Sequence, residues 1–150
     1  MAGTKDDWQQ RTQLLYGPER MERLHRARVC VVGLGGVGAY AAEMLCRAGI
    51  GHMVLLDADK VALTNINRQL PALHSTLGLA KVSLLAQRFR DINPEADIQA
   101  LELFLERDNI PAFLNGGCFD FVVDAIDTVD CKCRLMEECL SRRIPLISAM

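Results

Sequence analysis

The sequence predicts an α/β fold, a Rossmann-like and mostly parallel sheet with helices on both faces. Short apolar runs rich in β-branched residues alternate with segments whose apolar residues recur at helical spacing. A cluster of glycines follows the first apolar run directly and precedes the first helical segment, which is the strand–turn–helix order of many nucleotide-binding units. Strands that alternate with helices form βαβ units with right-handed crossovers, and these build a parallel sheet.

Five strands are predicted along the chain. Each is a short, mostly apolar run, as expected of strands buried on both faces, and they cover residues 28–32, 52–56, 97–101, 119–125 and 145–149. A doubly wound sheet normally covers both faces of its strands, and no predicted helix follows the fifth strand. We therefore expect the sheet to be truncated after this strand, as the N-terminal part of a longer domain.

Three helices are predicted between these strands. The first ends at Gly49, which suits the left-handed position after a helix, the second stops before Pro94, and the third covers residues 128–142. Their apolar residues are expected to face the sheet. These residues are, in turn, Val37, Tyr40, Ala41, Met44, Leu45 and Ala48; Leu79, Val82, Leu85, Ala86 and Phe89; and Leu135, Cys139 and Leu140.

A helical arm is predicted for residues 1–27, ahead of an ATP-binding domain of residues 28–150. Pro18 and Glu19 suit the first turn of a helix. Met21 and Leu24 are spaced to share one helix face. No internal repeat or low-complexity tract interrupts this organisation.

The composition excludes several classes of protein. The net charge of −2 does not indicate a nucleic-acid binder, and neither a signal peptide nor a membrane-spanning segment is predicted. Six cysteines occur without a Cys-x-x-Cys pair, so no zinc ribbon is expected. Most of them are expected to be small core residues in a reducing compartment, which predicts a cytoplasmic protein.

The glycine cluster predicts a phosphate cradle. Glycines at this place allow a tight turn, and backbone N–H groups at a helix N-terminus attract phosphate oxygens. The alternative is a turn with a purely structural purpose, but the strand before it and the helix after it favour nucleotide binding. The glycines concerned are Gly33, Gly35, Gly36 and Gly38.

Two acidic residues follow the second predicted strand. Asp57 lies about 24 residues after Gly33, where a carboxylate accepts hydrogen bonds from a ribose. This position suits NAD as well as ATP. Asp59 is either a second polar wall of the site or only a turn residue, and the sequence leaves both interpretations open.

A polar segment beyond the second strand favours ATP over a dinucleotide. Arg68, which follows Asn65 and Asn67 and precedes Gln69, can bind a polyphosphate with two parallel hydrogen bonds. Lys81 lies in the first turn of the next helix, off its apolar face. It either adds a second positive charge or is an ordinary solvated lysine.

Two further carboxylates flank the end of the fourth predicted strand. Asp124 and Asp127 lie at the sheet edge where open α/β folds bind ligands. Asp127 is predicted to be a Mg²⁺ ligand that helps to neutralise a triphosphate. The competing interpretation is that Asp127 caps the helix that starts near residue 128.

Together these motifs resemble the adenylating enzymes related to ubiquitin-activating enzyme and to the adenylyltransferases of thiamine and molybdopterin biosynthesis. The resemblance extends over about residues 8–150. Within this family the sequence is most similar to members that dehydrate threonylcarbamoyladenosine in tRNA. The segments that carry the resemblance are residues 32–38, 56–59, 64–69 with 72–76, 91–94 and 123–128.

The resemblance implies a reaction and a role for each residue. ATP activates a carboxylate as an acyl-adenylate, and a nucleophile within the substrate, a modified tRNA, then closes a ring with loss of AMP. Asp57 would hold the ribose, and Arg68 and Lys81 the phosphates. Asp127 would hold the magnesium ion. Arg11 resembles the arginine that the N-terminal arm sends into a neighbouring subunit, which implies a homodimer, and sulfur-relay proteins are further candidate partners.

Three other functions remain open from the sequence. A related adenylyltransferase would activate the C-terminus of a ubiquitin-like or sulfur-carrier protein. A nicotinamide-dependent oxidoreductase would also use the glycine turn and Asp57, but no catalytic histidine or Tyr-Lys arrangement is evident. The third function is that of a nucleotide-binding module without enzymatic activity.

Overall fold

Residues 7–149 are described by a computed structural model. They form a five-stranded parallel sheet with strand order β3-β2-β1-β4-β5. The strands are β1 (Arg28–Val32), β2 (His52–Leu56), β3 (Asp97–Leu101), β4 (Phe121–Asp124) and β5 (Leu146–Ser148), and the helices are α1 (Gln10–Tyr16), α2 (Pro18–Arg26), α3 (Gly38–Ala48), α4 (Lys81–Ile92), α5 (Ile110–Gly117) and α6 (Val129–Ser141). The predicted fold class is confirmed.

Alternate residues of the central strands point into two separate cores. On one face, Val31 and Leu55 pack against α3 and α4, and on the other Val32 and Leu56 pack against α5 and α6. Because β1 and β2 are covered on both faces, their sequences are continuous apolar runs rather than alternating ones. The fifth strand lies at one edge, where Ile147 is 58% exposed.

The prediction of which α3 residues face the sheet is partly wrong. Tyr40 and Met44 are exposed, as is Val37 just before the helix, whereas Ala39 and Cys46 are fully buried, together with Ala42. The apolar residues of α3 that are fully buried are thus small ones, whereas Tyr40 and Met44 lie on the outer side. The prediction is right for Ala41 and Leu45, which are partly buried and pack against the core.

Other predicted boundaries also need correction. Leu79 precedes α4 and is exposed, and Leu140 is 80% exposed on the outer side of α6. The fourth strand is shorter than predicted, and Ala125 belongs to the loop that follows it. Helix α5 was not predicted at all. Its sequence contains Pro111 and two glycines near its end, which are residues typical of loops.

The predicted N-terminal arm corresponds to α1 and α2, and its residues 1–6 lie outside the described part of the chain. Met21 is buried, and Leu24 packs against the core on the α3 side. His25 of α2 and Gln9, the residue before α1, form a side-chain hydrogen bond, with 2.9 Å between His25 Nε2 and Gln9 Oε1. Helix α1 itself contains no buried residue.

Candidate functional site

A cavity of about 440 Å³ opens at the carboxyl edge of the sheet. This is the edge where open α/β sheets bind their ligands, because loops with separate origins meet there. The glycine turn, the end of β2, the loop after β3 and the loop after β4 all contribute residues. The lining side chains that bear on chemistry are Asp57, Asp59, Arg68, Gln69, Lys81 and Asp127.

The glycine turn is held between β2 and β4. The N–H of Gly33 donates to the carbonyl of Leu56 at 2.8 Å, and Gly33 has a φ of +88°. A Cβ at this position would lie 2.6 Å from the carbonyl oxygen of Ala125, so both the conformation and the space require glycine. Gly35 and Gly36 line the cavity, as predicted for a phosphate cradle.

Gly38 has a different role from the one predicted. It is the buried first residue of α3 and does not line the cavity. Any Cβ there would overlap with the carbonyl oxygen of Gly33. Gly38 therefore lets the helix N-terminus pack tightly against the turn, which fixes the direction of the turn's N–H groups.

Asp57 organises the turn as well as facing the cavity. Its two carboxylate oxygens accept hydrogen bonds from the backbone N–H groups of Leu34 and Asp59, each at 2.7 Å. An ionised carboxylate offers about four acceptor positions. Asp57 thus keeps free lone pairs toward the cavity, where ribose hydroxyl groups can donate to them.

Lys81 is not the solvated surface lysine that one interpretation predicted. It is 3% exposed, and its ammonium group donates to the Asp59 carboxylate at 2.9 Å. The backbone N–H of Lys81 also donates to the carbonyl of Asp59 at 3.1 Å. Asp59 is therefore more than a turn residue, because it holds this positive charge at the cavity wall.

Arg68 and Gln69 also line the cavity. One guanidinium nitrogen of Arg68 donates to the Thr64 carbonyl and to Asn67 Oδ1, both at 3.0 Å, which orients the side chain. Gln69 is 9% exposed, and its Oε1 is buried without a hydrogen-bond partner. A buried carbonyl oxygen at a cavity wall is satisfied when a bound molecule supplies a donor.

Two predicted ligand residues do not line this cavity. Asn65 Oδ1 accepts the backbone N–H of Ala62 at 2.9 Å, which closes a short helical turn at residues 63–65. Asn67 uses its oxygen to hold Arg68. Both asparagines shape the segment that carries Arg68 instead of contacting the cavity themselves.

The prediction that Asp124 binds a ligand at this cavity is also wrong, because Asp124 does not line the cavity. Its side chain is fully buried outside the cavity, and it accepts hydrogen bonds from Lys132 Nζ at 2.7 Å and Ser148 Oγ at 2.8 Å. Its other oxygen accepts the backbone N–H of Ile126 at 3.0 Å. The sequence analysis did not identify Lys132, since a lysine inside a helical pattern normally indicates a solvated position.

Asp127, by contrast, is exposed and lines the cavity. The competing interpretation, that Asp127 caps the next helix, is wrong. Thr128 occupies the N-cap position of α6, and no side chain makes a capping hydrogen bond there. The carboxylate of Asp127 is thus available to a ligand.

Arg11 does not reach this cavity within its own chain. It lies exposed on α1 and is absent from the cavity lining. The segment after β3 does reach it, through Leu103, Phe104 and Leu105. Sequence analysis missed this apolar wall, although the parallel topology places every loop that follows a strand at this edge.

The described residues contain no cluster of three or more histidine, cysteine or acidic side chains suited to a metal ion. The six cysteines are free thiols, and Cys30, Cys46, Cys131 and Cys139 are buried. Burial, and secondly the Asp124 carboxylate, raise the pKa of the Cys139 thiol to about 11. Burial likewise raises the pKa of the Cys46 thiol to about 11. These thiols are therefore not nucleophiles at neutral pH.

Within residues 7–149 no helix has the length and apolar character needed to cross a bilayer.

The cavity combines the glycine turn with the carboxylates of Asp57 and Asp127 and the cations of Arg68 and Lys81, and comparison with known proteins assigns the family. The chain belongs to the ThiF family, whose profile matches residues 9–150. It is 49% identical over 140 residues to the tRNA threonylcarbamoyladenosine dehydratase of Bacillus subtilis, covering 93% of this chain and 55% of that protein. It is 33% identical to the molybdopterin-synthase adenylyltransferase of Haemophilus influenzae, over 85% of this chain and 51% of that protein.

A solved structure shows the same fold. The Escherichia coli tRNA threonylcarbamoyladenosine dehydratase, crystallised in complex with ATP, matches with a TM-score of 0.90 and 43% identity, over 96% of this chain and 60% of that one. The chain spans about half the length of the curated relatives it matches.

Proposed function

We propose that this chain binds ATP with Mg²⁺ and forms the adenylating part of a tRNA threonylcarbamoyladenosine dehydratase. The observation that carries the proposal is the convergence of the glycine turn, Asp57, Arg68 and Lys81 on one cavity. A dinucleotide site does not require this pair of cations. The proposed substrate is supported by the relatives, since the 49% identical protein is a dehydratase of this kind.

The cavity residues suit the parts of ATP. Backbone N–H groups at residues 35–37 lie at the N-terminus of α3, where the helix dipole favours phosphate oxygens. Asp57 accepts ribose hydroxyl groups with its free lone pairs. The Oε1 of Gln69, a buried atom without a hydrogen-bond partner at this wall, would accept a further hydroxyl donor.

Arg68 and Lys81 would stabilise the negative charge on the phosphate oxygens during adenylyl transfer. A substrate carboxylate oxygen bonds to the α-phosphorus, and the bond from that phosphorus to the β-phosphate oxygen breaks, so pyrophosphate leaves. An internal nucleophile of the substrate then attacks the activated carbonyl and AMP leaves, which closes the ring. Preorganised cations reduce the activation barrier because they do not reorient during the reaction.

Asp127 would hold the Mg²⁺ ion together with the phosphates of the nucleotide. Mg²⁺ commonly binds through one or two carboxylates plus substrate phosphates, so a single exposed carboxylate at this wall fits. When bound, the ion neutralises triphosphate charge.

We further propose a homodimer in which Arg11 enters the cavity of a second subunit. Arg11 lies on α1, whose neighbouring residues Leu14 and Leu15 are 83% and 73% exposed. Apolar side chains at this exposure favour a helix that packs against another surface. A sulfur-relay partner and a cytoplasmic location stay predictions from the sequence.

Two measurements test the proposed function. Calorimetric titration should show tighter binding of ATP with Mg²⁺ than of NAD, and the reverse order would refute it. Pyrophosphate exchange, measured separately with threonylcarbamoyladenosine-modified tRNA and with a sulfur-carrier protein, identifies the carboxylate. Exchange only with the carrier protein would favour the alternative adenylyltransferase, for which the 33% identity to the Haemophilus influenzae protein is the specific support.

The role of Asp127 is tested by Asp127→Asn. Loss of the carboxylate should decrease the adenylation rate by about thirtyfold, or about 2 kcal/mol, without changing the melting temperature. Asp130→Asn is the matched control, because Asp130 lies nearby at the start of α6 and pairs only with the exposed Arg107. Equal rate losses in both variants would contradict the proposed metal role.

A further inference from the structure

Lys132 is a buried cation directly behind the cavity wall. It lies in the first turns of α6 and is 6% exposed. Its ammonium group donates to Asp124 Oδ2 at 2.7 Å, to Ser148 Oγ at 3.0 Å and to the carbonyl of Ala149 at 3.0 Å. An ammonium group has three N–H donors, so all of them are used.

Stability alone does not account for this buried pair. Two charges lose their hydration when they are buried, and well-packed apolar residues of similar volume often give an equally stable protein. The neighbouring thiols of Cys131 and Cys139 show that α6 fills this core with small apolar groups elsewhere. The charges at Lys132 and Asp124 therefore call for another explanation.

The hydrogen bonds of the pair fix two walls of the cavity. Asp124 Oδ1 accepts the N–H of Ile126 at 3.0 Å, and this sets the course of the loop that leads to Asp127. The N–H of Ala149 donates to the Asp124 carbonyl at 2.9 Å. Lys132 donates to the carbonyl of this same residue, Ala149. Both Ile126 and Ala149 line the cavity.

We propose that Lys132 is a positioning residue that, through Asp124, holds the 125–127 loop in the conformation that presents Asp127 to the nucleotide. Lys132 does not line the cavity. Its effect passes through the Asp124 carboxylate to the backbone of Ile126. This inference rests on the proposed function, because it concerns how the ATP site is shaped.

A double-mutant cycle on ATP binding tests the proposal. In the otherwise unchanged chain, Lys132→Met should weaken the binding of ATP with Mg²⁺ by about tenfold or more, as is typical when a group supporting a ligand residue is removed. In a chain that already carries Asp127→Asn, the same substitution should change the affinity by less than about twofold, because the two residues act as one unit.

A matched control separates this role from general destabilisation. Arg88→Met breaks the ion pair between Arg88 and Glu43, which joins α3 to α4 and does not line the cavity. It should leave the ATP affinity unchanged even where it decreases the melting temperature. Amide hydrogen exchange should become faster at Ile126 in Lys132→Met and stay unchanged there in Arg88→Met.

Ser148→Ala is the second variant, for use if Lys132→Met does not fold. It removes one acceptor of the ammonium group and should weaken ATP binding by about twofold to fivefold, with the same dependence on Asp127. Equal weakening in the presence and absence of Asp127, or an unchanged affinity, would overturn the proposal. If the unmodified chain does not bind ATP, the proposed function fails first. If it binds ATP normally and Lys132→Met does too, only this inference fails.

Discussion

Asp57 and Asp124 lie at equivalent positions of the sheet, but their carboxylates have different surroundings. The strands that lead to them, β2 and β4, flank β1 on its two sides, and both residues lie at the carboxyl edge. The Asp57 carboxylate contacts only backbone N–H groups and faces the cavity. The Asp124 carboxylate is fully buried and bonded to Lys132 and Ser148.

The two carboxylates differ because the lysine of the helix that follows each strand pairs with a different aspartate. Lys81 begins α4 and pairs with Asp59 at the cavity surface, and within residues 7–149 no ion pair involves Asp57. Lys132 lies one turn into α6 and pairs with Asp124 beneath the wall. The carboxylate of Asp57 thus stays at the cavity, whereas pairing with Lys132 keeps the carboxylate of Asp124 buried away from it.

The largest effect is expected for Asp124→Ala. It leaves the Lys132 charge buried without an opposite charge beside it, which should decrease the free energy of unfolding by about 3–5 kcal/mol. Adding Lys132→Met should recover most of this loss, because the unpaired charge is then gone. Urea denaturation measures both effects. If the double variant were no more stable than Asp124→Ala, the buried pair would not explain the loss.

A smaller, functional effect is expected for Asp57→Ala. The N–H of Leu34 loses its acceptor and the proposed contact with the ribose is removed, so ATP affinity should fall by about tenfold to a hundredfold. The free energy of unfolding should change far less than in Asp124→Ala, since Asp57 is only half-buried. Calorimetric titration and urea denaturation of the same variant give both numbers. If Asp57→Ala destabilised the fold as strongly as Asp124→Ala, the proposed difference between the two carboxylates would be contradicted.

The smallest effect is expected for Glu43→Gln, which tests a buried carboxylate away from the cavity. Hydrogen bonds from Arg88, and secondly from Arg47, lower the pKa of Glu43 below its ordinary value of 4.5. Because the folded pKa is lowered, its stabilisation is fully present above pH 4.5 and disappears as the pH falls through the lowered folded pKa.

Glu43→Gln should therefore cost about 1–2 kcal/mol at pH 7 and progressively less in acid, with ATP affinity unchanged. Urea denaturation over a series of pH values measures this. A loss of stability that did not depend on pH would show that packing, rather than charge, accounts for the effect.

Local patterns in the sequence determined the order of the strands and much of the cavity. The apolar runs predicted β1, β2 and β3 with their exact bounds, because strands covered on both faces have a distinct composition. The glycine turn, Asp57 and Arg68 were predicted to meet, and they line one cavity. In each case, position relative to the end of a strand was sufficient information.

Only the tertiary structure decided which side chains are buried and which partners they have. Tyr40 and Met44 of α3 were expected to face the sheet, but they are exposed, and the fully buried apolar residues of this helix are Ala39, Ala42 and Cys46. Asp124 and Asp127 are three residues apart and chemically identical. Lys132 folds back onto Asp124 and leaves Asp127 free, since a hydrogen bond depends on distance in space, which spacing along the chain does not determine.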